Sequence, residues 1–152
     1  MRKLILLLLI GSFGLFFSCN QPGTKEPPPP PPKEIVKDGV IIHIKHGQDD
    51  PQQAIMGLIL ADNFVDKKDV LVYLDVRAVH LATKDAPKIE FMGHSVNDAL
   101  MNLINKKVQI MCCPGCMEAA GKTPDMLLDG ISLRNDEDFF TFTKGKIITF
   151  DY

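Results

Sequence analysis

Three cysteines fall within five residues of the stretch "KVQIMCCPGCMEAAG" (Lys107 to Gly121): Cys112, Cys113 and Cys116. A cysteine thiolate is a nucleophile, a redox centre and a soft metal ligand. Apolar Val108 to Met111 reads as a strand, and "PGCMEAAGK" reads as a short helix stopped at Gly121. The cluster therefore sits on a strand-to-helix junction. With Cys113 as the helix N-cap and Pro114 at the first helical position, Cys116 falls at the third. Backbone N–H groups and the helix dipole then stabilise a thiolate at Cys113. Cys113 is the predicted nucleophile, and Cys116 is its partner for a disulfide or for resolving a persulfide. Cys112 ends the strand and reads as a small buried hydrophobe, although it is a further thiol beside the pair.

Four chemistries compete for this pattern. Structural zinc needs four ligands, and only three cysteines cluster, with no second C-x-x-C. His43 and His46, three apart on an expected strand, face opposite sides and cannot serve one ion. No metal site is therefore assigned. The C-P-G-C order suggests a redox pair, but such pairs usually follow an early strand and this one lies late. Cu(I) binding is the alternative that uses Cys112, Cys113 and Cys116, with Met111 and Met117 as added soft ligands. The two methionines read better as core filler. The fourth chemistry is sulfur carriage as a cysteine persulfide. A non-catalytic oligomeric scaffold, in which Cys113–Cys116 is only a structural disulfide, stays open beside these.

Other polar residues carry weaker signals. His80 in "RAVHLATKD" suits a partly exposed position in a short helix, or a proton donor at the cysteine edge. Asp75 and Arg77 line the end of a strand, or form a surface ion pair of little worth. His94 reads as loop, and "LRNDEDFF" as the capped start of a helix.

The elements that must position the cysteines alternate along the chain. "DGVIIHIKHG" (Asp38 to Gly47) reads as a strand. Asp50, Pro51 and Gln53 then make a capping box for a helix with Ala54, Ile55, Leu58 and Ile59 on one face. Val70 to Val76 is a second strand. Ser95 and Asp98 cap a second helix running to Lys107, with Val96, Ala99, Leu100, Leu103 and Ile104 inward. After the cysteines, Thr123 and Pro124 repeat the cap pattern, "ISLRN" is a short strand, "DEDFFTF" a helix and "KIITFDY" a last strand. Alternating strands and helices predict a parallel sheet covered on both faces. Sites in such sheets lie beyond the carboxyl ends of the strands, where the cysteines and Gly47 to Asp50 fall. No G-x-G-x-x-G or P-loop pattern is present, so no nucleotide site is expected.

Ahead of this domain, "MRKLILLLLIGSFGLFFSCN" joins a basic start to an apolar run, Leu4 to Phe17, of signal-peptide length. It resembles a bacterial lipoprotein signal over residues 1–18, with Cys19 as the lipidated residue. Residues 19–36 form a linker in which Pro27 to Pro32 make a polyproline II rod of about 19 Å. Residues 37–152 remain as one domain. Loss of Arg2 and Lys3 with the signal leaves 15 basic and 19 acidic residues, a net charge of −4. No basic stripe argues for nucleic acid.

Residues 38–152 resemble the DsrE/DsrF family of sulfur-relay proteins. "GQDDPQQAIMGLILADNF" resembles the family's first loop and helix, and "DVLVYLDVRAVHLATKDA" its second strand and the segment after that strand. "CCPGCMEAAGKTPDMLLDGISL" resembles its cysteine helix and the turn before a short strand. The family's sulfur-accepting cysteine precedes a glycine by eight residues, as Cys113 precedes Gly121. Ala120 stands where relay members carry an arginine. The resemblance implies an α/β fold, a three-layer α/β/α sandwich with a mainly parallel five-strand sheet. It also implies a persulfide at Cys113, sulfur-donor or acceptor proteins as partners, trimers or hexamers, and no organic cofactor. With the lipid signal, the expected setting is the cell envelope: tethered by the N-terminal lipid, facing the periplasm or on the outer membrane.

Overall fold

The computed structural model describes residues 36–152. The signal segment, lipid-acceptor Cys19 and all of the proline linker but Val36 lie outside the described residues. Seven strands and four α-helices come in order among the described residues: β1 (Gly39–Ile44), α1 (Pro51–Phe64), β2 (Asp69–Leu74), β3 (Glu90–Phe91), β4 (His94–Ser95), α2 (Val96–Asn105), β5 (Gln109–Cys112), α3 (Pro114–Ala119), β6 (Ile131–Leu133), α4 (Asp136–Phe142) and β7 (Ile147–Asp151). Five strands form one all-parallel sheet in the order β6-β5-β2-β1-β7. This is the expected α/β architecture, a five-strand parallel sheet flanked by helices.

Side-chain alternation along the strands splits the core in two. Val40, Ile42 and Ile44 of β1, Val70, Val72 and Leu74 of β2, and Ile110 and Cys112 of β5 face the larger core, under α1 and α2. Ile41, Leu71 and Met111 face the other way, against Tyr73, Phe139, Phe142 and Ile147. The second core is thin because α4 is short and buries none of its residues fully.

Local chemistry sets the helix ends. Asp50 accepts the Gln53 N–H at 3.1 Å, and the Gln53 amide donates back to its carboxylate at 2.8 Å. Ser95 accepts the Asp98 N–H at 3.1 Å. α2 and α3 both end in Schellman turns. Val108 N–H donates to Leu103 and Lys122 N–H to Met117, with Lys107 and Gly121 in the left-handed region. α1 is tied to α2 where Asn102 and Lys106 donate to Asp62 at 2.9 and 2.6 Å.

Four expectations shift. β2 stops at Leu74, because Val76 takes φ +47°, which no strand accommodates. Thr123 makes no side-chain cap bond, and only a single 3₁₀ turn, Pro124–Met126, comes after it. His94 is not in a loop: it pairs with Phe91 in a hairpin closed by Met92 and Gly93, both with positive φ. β1 ends at Ile44, so His46 lies beyond the strand.

Gly57 lets α1 lie close on β1. A methyl there would sit 2.9 Å from Ile44 Cγ1 and 3.3 Å from Tyr152 Cβ. Alanine gains ~1 kcal/mol of helix propensity, but overpacking costs roughly 1–3 kcal/mol. Gly57→Ala is expected to lower the unfolding free energy from urea denaturation by a net ~1 kcal/mol, and the midpoint with it, whereas Met56→Ala, at an exposed neighbour, leaves it within ~0.5 kcal/mol. A midpoint raised by Gly57→Ala would rule out the tight packing.

Candidate functional site

The site forms where β5 hands over to α3. Cys113 N–H donates to the Leu74 carbonyl at 2.9 Å, and Arg134 N–H donates to the Cys112 carbonyl at 2.8 Å. The ends of β2, β5 and β6 are thus held together at the carboxyl edge of the sheet. The register aligns Met111 with Tyr73 and Tyr73 with His43. Two residues beyond Met111, on the same face, comes Cys113. Two beyond Tyr73 comes Asp75. Cys113, Tyr73, His43 and Asp75 therefore converge because of strand alternation alone.

Cys113 is the N-cap of α3, and its sulfur accepts the Cys116 N–H at 3.4 Å. Burial acts to raise the Cys113 pKa. The Cys116 thiol and N–H, the Tyr73 hydroxyl and the Gly115 N–H all donate to its sulfur, and together they pull the pKa below the ordinary thiol value. Cys116 moves the other way. Burial and donation of its proton to Cys113 raise its pKa, with the negative charges of Cys113 and Asp75 adding to the effect against one opposing bond from the Val76 N–H. The two thiols are thus a donor and an acceptor of the same proton. Both are free thiols in this structure.

Cys112 is separate from the pair. It is fully buried in the larger core, and burial pushes its pKa up to about 12. Met111 faces the opposite core and Met117 is buried with Cys112. Alternation thus keeps Met111 and Cys112 from sharing one ion. Among the described residues no group of three or more His, Cys, Asp or Glu side chains is arranged to hold a metal ion. The geometry lends no support to the three-thiol Cu(I) reading.

A polar network behind the cysteines escaped the sequence reading. Tyr73 donates to Cys113, and this bond and, above all, burial raise its own pKa. Its ring packs 5.5 Å from His43 and 6.1 Å from Phe139. His43 lies between two carboxylates. Its Nδ1 bonds Asp151 at 2.6 Å, and its Nε2 is 2.9 Å from Asp75 Oδ2. The second contact is too oblique for a hydrogen bond. His43 Nε2 and Asp75 Oδ1, both buried, consequently have no hydrogen-bond partner among the described residues. Arg134 stands beside the Tyr73 hydroxyl, bonded to Asp136 at 2.6 Å and stacked over Phe139. The available signal was period-two alternation on β1 and β2, which places His43 and Tyr73 side by side. Asp151 and Arg134 gave no signal of their own.

The remaining candidates lie elsewhere. His46 bonds Asp49 at 2.8 Å, so His43 and His46 have different partners. Asp75 pairs with His43 and not with Arg77, whose Nε is 3.9 Å from Asp49. His80 and Arg77 line a cavity of 520 Å³ with Gln48, Asp49, Asp85 and Lys122, and none of the cysteines lines it.

No protein-family model matches the chain, and no curated protein matches it. Solved structures do. The chain is similar to the ychN protein from E. coli at 18% identity and a TM-score of 0.54, over 76% of this chain and 100% of that one. It is similar to MTH1491 from Methanobacterium thermoautotrophicum, a protein of unknown function, at 18% identity and a TM-score of 0.54, over 74% of this chain and 98% of that one. The chain accordingly shares their fold, an α/β architecture with a five-strand parallel sheet flanked by helices.

The thiol asymmetry has a direct readout. A lowered pKa supplies thiolate at lower pH, so Cys113 is expected to alkylate with iodoacetamide at the lowest pH. Cys116 should react only at higher pH, and Cys112 only on unfolding. Mass mapping across a pH series checks the order, and Cys116 reacting before Cys113 would refute the capped thiolate.

Proposed function

We propose that this chain is a thiol protein of the sulfur-relay type, with Cys113 as its sulfur acceptor. The observation that carries the reading is the polarised pair: a hydrogen-bonded, N-capping Cys113 sulfur beside a Cys116 thiol that keeps its proton. The resemblance to the DsrE/DsrF family supports it. Thiolate is the reactive form of cysteine. The Cys113 thiolate attacks the outer sulfur of a persulfide donor, the donor's S–S bond breaks, and the donor leaves as its own thiolate. Cys113 is then a persulfide, to be passed to an acceptor thiol or resolved by Cys116.

The tethered setting belongs to the same proposal. Lipid on Cys19 anchors the chain in the cell envelope, residues 19–36 link that anchor to the domain, and the domain works as a homo-oligomer, a trimer or hexamer. In an oxidising compartment Cys113 and Cys116 rest as a disulfide until a partner dithiol reduces them.

Reduced protein exposed to polysulfide and mapped by mass spectrometry should carry added sulfur on Cys113. Cys113→Ser should abolish the adduct, and Cys116→Ser should let it accumulate. Finding no sulfur adduct on either residue sinks the reading.

A further inference from the structure

We propose that the half-buried Asp75–His43 pair is the proton acceptor for the Cys116 thiol when Cys116 attacks a sulfur species on Cys113. This rests on the thiol chemistry proposed above and assigns the step that the cysteines cannot perform alone. Cys116 attacks as a thiolate, yet its surroundings keep it protonated. Its proton needs a destination at neutral pH.

The backbone brings the pair to that proton. The Leu74 carbonyl, one residue before Asp75, accepts the Cys113 N–H at 2.9 Å, and the Cys113 sulfur accepts the Cys116 N–H at 3.4 Å, so Asp75 leaves its strand beside the two thiols. The charge on Asp75 is felt at Cys116, Cys112 and Tyr73 alike. Asp75 Oδ1 is buried and without a hydrogen-bond partner among the described residues, as is His43 Nε2. Leaving such atoms unpaired is destabilising, and the site keeps two open proton positions in spite of that cost. The other groups facing the pair are committed. Tyr73 donates to Cys113. Asp151 takes His43 Nδ1 at 2.6 Å and has Lys45 Nζ at 3.7 Å. Arg134, beyond Tyr73, is bonded to Asp136. Asp75 and His43 remain, 2.9 Å apart, each with an unpartnered atom that can take a proton.

The resolving step then balances. Cys116 sulfur bonds to Cys113 sulfur, the bond from Cys113 to its outer sulfur breaks, and that sulfur leaves as hydrosulfide, carrying the electron pair. The Cys116 proton passes to Asp75–His43. The Cys116 sulfur is oxidised from thiol to disulfide, the outer sulfur is reduced to hydrosulfide, and the Cys113 sulfur exchanges one S–S bond for another.

The test uses a leaving group that needs no sulfur donor. The full chain with Cys19→Ser is reduced and treated with one equivalent of Ellman's reagent, which caps Cys113 as a mixed disulfide. Attack by Cys116 then releases thionitrobenzoate, seen by its absorbance. Asp75→Asn removes a negative charge, so Cys116 should alkylate at lower pH than in the parent. Release at pH 6 should nevertheless be at least tenfold slower, and it should rise about tenfold per pH unit, as expected when a general base is lost. A residue acting only through its charge would make release faster. His43→Gln tests the pair from the other strand and should also slow release. Release at or above the parent rate in either folded variant overturns the proposal. Normal release without any persulfide on Cys113 in the polysulfide experiment would instead refute the sulfur-relay reading and leave this one standing.

Discussion

The hydrogen bond from Cys113 N–H to the Leu74 carbonyl is the tie on which the site depends. It extends the β2–β5 ladder one residue past the end of β5, so Cys113 keeps its strand direction while its sulfur already caps α3. Were the chain to turn one residue earlier, alternation would put Cys112 at the cap and Cys113 in the core. The same tie brings Tyr73 and Asp75 to the cysteines, since both are set by the position of Leu74. Arg134 N–H, on the Cys112 carbonyl, fixes the other side.

Backbone strain sits beside this tie. Val76 is β-branched and takes φ +47°, an arrangement costing about 1–3 kcal/mol. The turn carries the chain off the sheet and aims the Val76 N–H at Cys116. That N–H opposes the rise in the Cys116 pKa while Asp75 adds to it, so two adjacent residues push one thiol in opposite directions.

Much of this was legible in the residues. The caps at Asp50, Ser95 and Cys113, the apolar faces of the two long helices and the parallel α/β class all come from local rules that tertiary packing did not overturn. Cys113 and Cys116 separate from Cys112 by spacing alone. The rest depended on long-range register. His43 meets Asp151, 108 residues away, and no local pattern announces that pairing. Val76 continues an apolar run, and only its dihedral removes it from the strand. Met92–Gly93 was a readable turn, but its two-residue strands are too short to show alternation.

The unequal division of the core has an energetic consequence. Most buried apolar residues lie under α1 and α2, whereas α4 rests on a layer with three buried residues. β7, an edge strand, is largely exposed along its length. Opening free energy tracks such burial. Lifting α4 and β7 therefore costs far less than unfolding the chain. Because Asp151 belongs to β7, that sub-global opening would detach one carboxylate from His43 while the Cys113–Leu74 tie, rooted in the larger core, stays closed. Amide exchange across the molecule should then fall into two tiers, with the acidic wall of the site in the fast one and its sulfur in the slow.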